Sequence, residues 1–234
     1  MKARIEVAAI DCLTLRLFEV IDEANVPWLL AAAERLRGVF AGALVELVPS
    51  YTTLMLQYDL AQLDDAQARA LCEQALVGLE PAATGGGREL ALPVWYHPSV
   101  GPDLEALAGQ RGLPVDEVIA LHSGRAYSVF ALGFAPGFGF MGLVDPRLAS
   151  PRLATPRQRV AAGSVGIAER QTAIYPAVSP GGWNLIGRSP ARLFDPALEG
   201  FSLLHPGDRV RFVPVQRDEF LRLGGDDTPM EAQA

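Results

Sequence analysis

The sequence predicts an α+β protein in two parts, on three observations. The first 85 or so residues alternate between strand-like and helix-like apolar patterns. The run "TGGGRE" (84–89) favours no regular element and reads as a boundary. After residue 97, short apolar runs are broken repeatedly by glycine and proline, which argues for a compact all-β barrel or sandwich.

The first part is read in order. "CLTLRLF" (12–18) is a strand. Asp22 or Asn25 followed by Pro27 marks a helix start, and Val26, Leu29, Leu30, Ala33 and Leu36 form its apolar stripe. "ALVELV" (43–48) and "TTLMLQY" (52–58) are strands joined by "PSY", as in a hairpin. Asp64 opens a second helix with Ala68, Leu71, Cys72, Ala75, Leu76 and Leu79 at helical spacing. "ELALPVWY" (89–96) closes the set. The order β-α-β-β-α-β is the ferredoxin-like arrangement. With the glycine run as boundary, the chain divides into a ferredoxin-like domain (1–88), a barrel domain (89–223) and a disordered tail, "GGDDTPMEAQA" (224–234).

In the second part, "PDLEALAGQ" (102–110) and "PVDEVIALH" (114–122) read as short helices with proline at an early position. "YSVFALGF", "GSVGIAE", "TAIYPAV" and "DRVRFVPV" read as strands. In "GFAPGFGFMG" (133–142), bulky Phe134, Phe138 and Phe140 alternate with small residues, so an extended chain would have one bare face. The phenylalanines are expected in the core, with the bare side of Gly137 and Gly139 open to a ligand or a second polypeptide.

Composition removes several chemistries. A formal net charge of −7 argues against nucleic acid as a partner. Lys2 is the only lysine, so there is no GxxxxGK phosphate loop, no Schiff-base lysine within the fold and no internal lysine to carry biotin or lipoate. His97, His122 and His205 lack metal-ligand spacing, which argues against a metal site. Cys72 sits on a helical apolar stripe and reads as core. No signal-peptide form and no apolar run approaching 18 residues is found, so the expectation is a cytoplasmic protein outside the membrane.

Three stretches then carry a resemblance: "YSVFALGFAPGFGFMGLVDPRL", "PRQRVAAGSVGIAERQTAIYP" and "SPGGWNLIGRSPARLFDP". With "VPSY" (48–51) they resemble, in order, the bacterial family that contains the 5-oxoprolinase component PxpB and the kinase inhibitor KipI. It is also called allophanate hydrolase subunit 1, of the carboxyltransferase subdomain C and D type. The likeness runs from residue 48 to about residue 215. It implies an N-terminal α+β domain and a C-terminal cyclophilin-like β-barrel. It also implies a direct PxpC-like partner subunit and a PxpA-like one, which together open 5-oxo-L-proline to L-glutamate with ATP, as Mg-ATP, for cosubstrate. No cofactor held by this chain alone is evident. The family equally admits a KipI-like inhibitor of a sensor histidine kinase, or a urea- or allophanate-type carboxyltransferase subunit. The chain departs from the family where "VAAGSV" replaces "VPAGSV" and where Glu169 and Ala173 replace glycines. Glu169 would put a carboxylate beside a pocket for a carboxylate substrate unless it points outward.

ATP-dependent lactam opening needs donors for phosphate charge, a grip on the substrate's carboxylate and amide, and a proton carrier. Arg157 and Arg188 sit in loop-rich surroundings and are candidate anion binders, with surface or interface arginine as the alternative. His122 ends a helix, which favours imidazolium and suits a proton donor; the alternative is a histidine bonded to a neighbouring carbonyl. Gln171 can offer donor and acceptor to a lactam edge, sharing a strand face with Ala173 and Tyr175. Ser164 either binds phosphate or is a turn hydroxyl. In "SPGGW", running from Ser179 to Trp183, Pro180 fixes a dihedral and Gly181 or Gly182 permits a positive φ. Trp183 either walls a pocket or plugs a barrel end.

Overall fold

Residues 3–82, 87–197 and 200–230 are described by the structure, a computed structural model. They fall into two compact units, Met1–Gly87 and Arg88–Ala234.

In the first unit, β1 (Arg4–Ala9), β2 (Cys12–Arg16), β3 (Leu44–Ser50) and β4 (Thr53–Tyr58) form an antiparallel sheet of order β1-β2-β4-β3. Leu13, Leu15, Leu54 and Leu56 bury one face against Leu29, Ala33 and Leu36 of α1 (Val26–Phe40) and Ala68, Cys72 and Ala75 of α2 (Asp65–Leu76). Asp64 caps α2 in a capping box: its side chain accepts from the Gln67 N–H, and the Gln67 side chain accepts from the Asp64 N–H. One sequence expectation is corrected here. Residues 89–96 do not close this sheet; its fourth strand is β1, which folds back on β2. The alternation in "ELALPV" marks a strand whose apolar side must be buried but does not say in which sheet.

That strand, β5 (Glu89–Val94), pairs in parallel with β13 (Arg209–Pro214) in the second unit. The other main strands are β6 (Ala126–Leu132), β7 (Gly139–Gly142), β9 (Ser164–Ala168), β10 (Gln171–Ile174) and β12 (Asn184–Arg188). The seven-stranded order is β12-β9-β10-β7-β6-β13-β5. The sheet curls until its edges meet: Trp95, just past β5, exchanges two backbone hydrogen bonds of 2.9 Å with Arg188 of β12. Inside lie Val94, Val129, Met141, Val165, Ile167 and Phe212. A two-stranded ribbon of β8 (Arg157–Val160) and β11 (Ser179–Gly181) stands apart from this sheet. α3 (Leu104–Arg111) packs on β12 and α4 (Val115–Ser123) on β13. α5 (Arg217–Arg222) follows β13.

Three further expectations change. Phe138 is buried and Phe140 half-buried, but Phe134 is 64% exposed with φ +69°, because residues 133–138 form a turn and not an extended run. The bare side of the glycines is filled from within. A Cβ on Gly137 (φ +83°) would lie 2.7 Å from the Leu193 carbonyl oxygen, and one on Gly139 would lie 2.8 Å from Leu204 Cδ1. Residues 224–230, read from composition as the start of a disordered tail, return to the second unit. Met230 donates its N–H to the Ser99 carbonyl at 2.7 Å, and its side chain joins Phe138, Tyr175 and Trp183. Residues 231–234 lie outside the described residues.

Candidate functional site

The β8–β11 ribbon and the end of β12 bring Arg157 and Arg188 to one cavity of about 590 Å³. Val178, Asp226, Thr228 and Met230 also line it. Gly163 makes this wall possible: a Cβ there would overlap the Ser189 carbonyl oxygen and lie 3.2 Å from Arg188 Cγ, and its φ is +79°. The "AAGS" turn therefore lies directly on the end of β12 and helps bury Arg188.

The two arginines are satisfied differently. Arg157 is 5% exposed; its Nη2 donates to Asp103 Oδ1 at 2.7 Å and its Nη1 points to the Trp183 carbonyl at 3.5 Å. Asp103 is anchored in turn, its Oδ2 accepting from the Leu185 N–H at 2.7 Å. Arg188 is 1% exposed, and its acceptors are main-chain carbonyls. Its Nη1 donates to those of Asp226 (2.6 Å) and Thr228 (2.9 Å). Among the described residues, its Nε and Nη2 are buried without a hydrogen-bond partner, as is Nε of Arg157. Burial lowers the pKa of Arg188, and the nearby carboxylates of Asp226 and Asp227 oppose that shift. Buried unpaired N–H groups cost about 1–3 kcal/mol each, so this geometry favours an acceptor that would complete it.

A second, smaller cleft of about 90 Å³ lies on the aromatic side, walled by Phe134, Phe138, Phe140, Tyr175 and Trp183. Arg152 stands over the Trp183 ring, 6.0 Å from its centroid. Trp183 thus shows its ring to this cleft and its carbonyl to Arg157. Burial raises the pKa of Tyr175 and keeps it a neutral phenol. The "SPGGW" turn differs from its expected form: neither Gly181 nor Gly182 has a positive φ. Gly181 serves close approach instead, since a Cβ there would overlap the Tyr175 hydroxyl.

The remaining candidates divide. Ser164 is fully buried beside Arg188, to which it is paired in register, and its Oγ contacts Met230 Sδ at 3.5 Å. Ser179 pairs with Val160 across the ribbon, and its Oγ is buried without a partner among the described residues. Gln171 is half-buried on β10 and lines neither the arginine cavity nor the aromatic cleft. Gly137 is spent on the contact with Leu193. Glu169 is exposed in the β9–β10 turn with φ +51°, so its carboxylate does not enter the cavity.

His122 is corrected. It is fully buried beneath the curled sheet, with Nδ1 2.7 Å from the Tyr96 hydroxyl and Nε2 2.8 Å from Thr172 Oγ1. It stacks on Phe212 at 4.6 Å. Desolvation lowers its pKa to about 3, so the ring is neutral and sealed, not a proton donor. The helix C-terminus that predicted a charged imidazole is outweighed by this burial. Sequence reasoning missed Asp103, which stands at the N-cap position of α3 and looks like a cap, yet spends both oxygens on Arg157 and Leu185. It also missed Asp226, Thr228 and Met230; the lone apolar Met230 in an acidic tail was the one available signal.

Residues 3–204 match the family described as carboxyltransferase domain, subdomain C and D. The chain is 34% identical over 230 residues to the B subunit of 5-oxoprolinase from Bacillus subtilis (strain 168), covering 94% of this chain and 96% of that protein. It is 38% identical over 203 residues to the B subunit of 5-oxoprolinase from Escherichia coli O157:H7, covering 83% and 91%. Among solved structures, the urea amidolyase of Kluyveromyces lactis superposes with a TM-score of 0.78 at 18% identity, over 97% of this chain and 16% of that one. This last likeness is one of fold. Among the described residues, no helix is long and apolar enough to cross a membrane.

Proposed function

The chain belongs to the family of carboxyltransferase subdomains C and D, and on that premise we propose that it is one subunit of a cytoplasmic, ATP-dependent 5-oxoprolinase that opens 5-oxo-L-proline to L-glutamate. Its curled sheet is read as a cyclophilin-like barrel, with a PxpC-like subunit completing the cavity and a PxpA-like subunit completing the enzyme. The names of its relatives support this reading. The observation that carries it is Arg188, which lines a cavity beside Arg157 and has two buried guanidinium nitrogens without a hydrogen-bond partner among the described residues.

The chemistry asked of these residues is binding and orientation. The lactam oxygen attacks the γ-phosphoryl group of ATP and ADP leaves; water then adds to the activated carbon, inorganic phosphate departs, and the ring C–N bond breaks as its nitrogen takes up a proton. Arg188 holds the substrate carboxylate through its free edge, since a guanidinium fork matches two carboxylate oxygens. Arg157, fixed by Asp103, adds positive charge where phosphoryl oxygens gather. His122 is sealed, so the proton carrier is assigned to a partner subunit or to water.

Co-expression with the PxpC-like and PxpA-like subunits, followed by measurement of 5-oxoproline-dependent ADP release, tests the reading. Turnover that requires this chain supports it. An assembled complex without turnover contradicts it and favours a kinase-inhibitor role.

A further inference from the structure

Arg188 is buried under a part of its own chain that is itself exposed. Asp226, Thr228 and Pro229 are exposed and Met230 is half-buried, yet the first two give Arg188 Nη1 its acceptors. Main-chain carbonyls are weak partners for a guanidinium compared with a carboxylate or phosphate. The segment starts at Gly224 (φ +86°) and Gly225, a pair able to turn sharply after α5. It is tied down by an Arg217–Asp227 ion pair, by the Met230–Ser99 backbone bond and by the Met230 side chain. Asp226 folds inward on Thr228, whose N–H and hydroxyl it accepts, which holds its carboxylate below the usual range. That carboxylate makes no hydrogen bond to Arg188 among the described residues, although its charge lies close enough to favour the guanidinium.

The unpaired atoms of Arg188 are also specific. Nε and Nη2 form the side-on edge of the guanidinium, one of its two edges that offer parallel N–H groups to a carboxylate, and here the other is compromised because Nη1 is taken by carbonyls. Both atoms are out of reach of solvent. Residues 226 and 228 hold the adjoining Nη1, and residues 226–230 form the exposed wall of the same cavity, so lifting them is the route by which an anion would reach this edge.

We propose that residues 226–230 are a displaceable cover over a carboxylate-binding fork formed by Arg188 Nε and Nη2, and that substrate carboxylate and cover exclude one another. This rests on the reading of the arginine cavity as the substrate site. When the cover leaves, Arg188 loses two carbonyl acceptors and gains two charged oxygens. The half-buried Met230 leaves the aromatic cluster at the same time.

Met230 is one of four methionines, so the 234-residue chain labelled with 13C in its methionine methyl groups reports the cover directly by NMR. Saturating 5-oxo-L-proline is expected to move the Met230 methyl signal to its free-chain position. 2-Pyrrolidinone, the same lactam without the carboxylate, is expected to leave it in place. Met230→Ser, which weakens the cover without touching the fork, is expected to bind 5-oxo-L-proline about tenfold more tightly. A chain ending at Gly225, checked for fold by circular dichroism, is expected to do the same. A Met230 signal that stays put under saturating 5-oxo-L-proline overturns the proposal, as does displacement by 2-pyrrolidinone. So does unchanged or absent binding in Met230→Ser. Displacement by inorganic phosphate but not by 5-oxo-L-proline reassigns the fork to a phosphoryl group and overturns the carboxylate assignment. Turnover of the reconstituted complex is read separately. An active complex with an immobile Met230 overturns the cover alone, and a mobile Met230 in an inactive complex overturns the oxoprolinase reading alone.

Discussion

His122 and Arg188 are both basic side chains taken almost wholly out of water in the same unit, and they could hardly be treated more differently. The histidine has a partner at each ring nitrogen and an aromatic ring against its face. Burial has removed its charge. The arginine cannot give up its charge. It has main-chain carbonyls on one nitrogen, no described partner on the other two, and a cavity before it. What separates a candidate site from a core is thus not burial or residue type but whether hydrogen-bonding capacity is used up.

The contrast is most easily broken at Arg188. Arg188→Met should cut turnover of the reconstituted complex by about a hundredfold or more. It should leave the melting temperature unchanged or raised, because an unpaired buried charge is replaced by a packed apolar chain. A loss of stability equal to the loss of activity would make Arg188 a structural residue like His122. Asp103→Ala should act on both, since it strands the buried Arg157; a loss of about 3–5 kcal/mol in denaturant unfolding is expected.

For His122 the expectation is one of stability and pH. Its pKa is about 3 in the fold against an ordinary value of 6.5. The neutral form is the one the fold accepts, so its contribution is full above pH 6.5 and is lost as pH falls toward 3. At about 1.4 kcal/mol per pH unit, unfolding free energy should drop by about 2 kcal/mol between about pH 6.5 and about pH 5. His122→Gln should flatten that slope while leaving turnover per folded molecule intact. A bell-shaped activity profile that vanishes in His122→Gln would return the residue to the chemistry. The smallest effect is expected outside both regions: Glu169→Gly relieves a positive φ and should add about 1 kcal/mol of stability without changing activity.

Much of this was legible in the chain. Apolar periodicity placed α1, α2 and most strands close to their observed bounds, and early prolines placed α3 and α4, because side-chain alternation and helix starts are local matters. The partner of strand 89–94 was not legible, since a strand's pattern is silent about which sheet receives it. Arg157 and Arg188 were singled out through motif resemblance and loop context; both stand on strands, β8 and β12, and they line one cavity. Asp103 was hidden by its helix-start position, and residues 226–230 by a composition that resembles a loose tail. His122 was misjudged because one favourable contribution, the helix end, was visible in sequence, while the larger one, complete desolvation, exists only once the curled sheet and α4 have packed around it.

The most direct measurement is a crystal structure of the reconstituted complex with 5-oxo-L-proline bound. The account predicts the substrate carboxylate across Nε and Nη2 of Arg188, with residues 226–230 lifted away. Substrate bound elsewhere, with Arg188 still holding the carbonyls of Asp226 and Thr228, would contradict it.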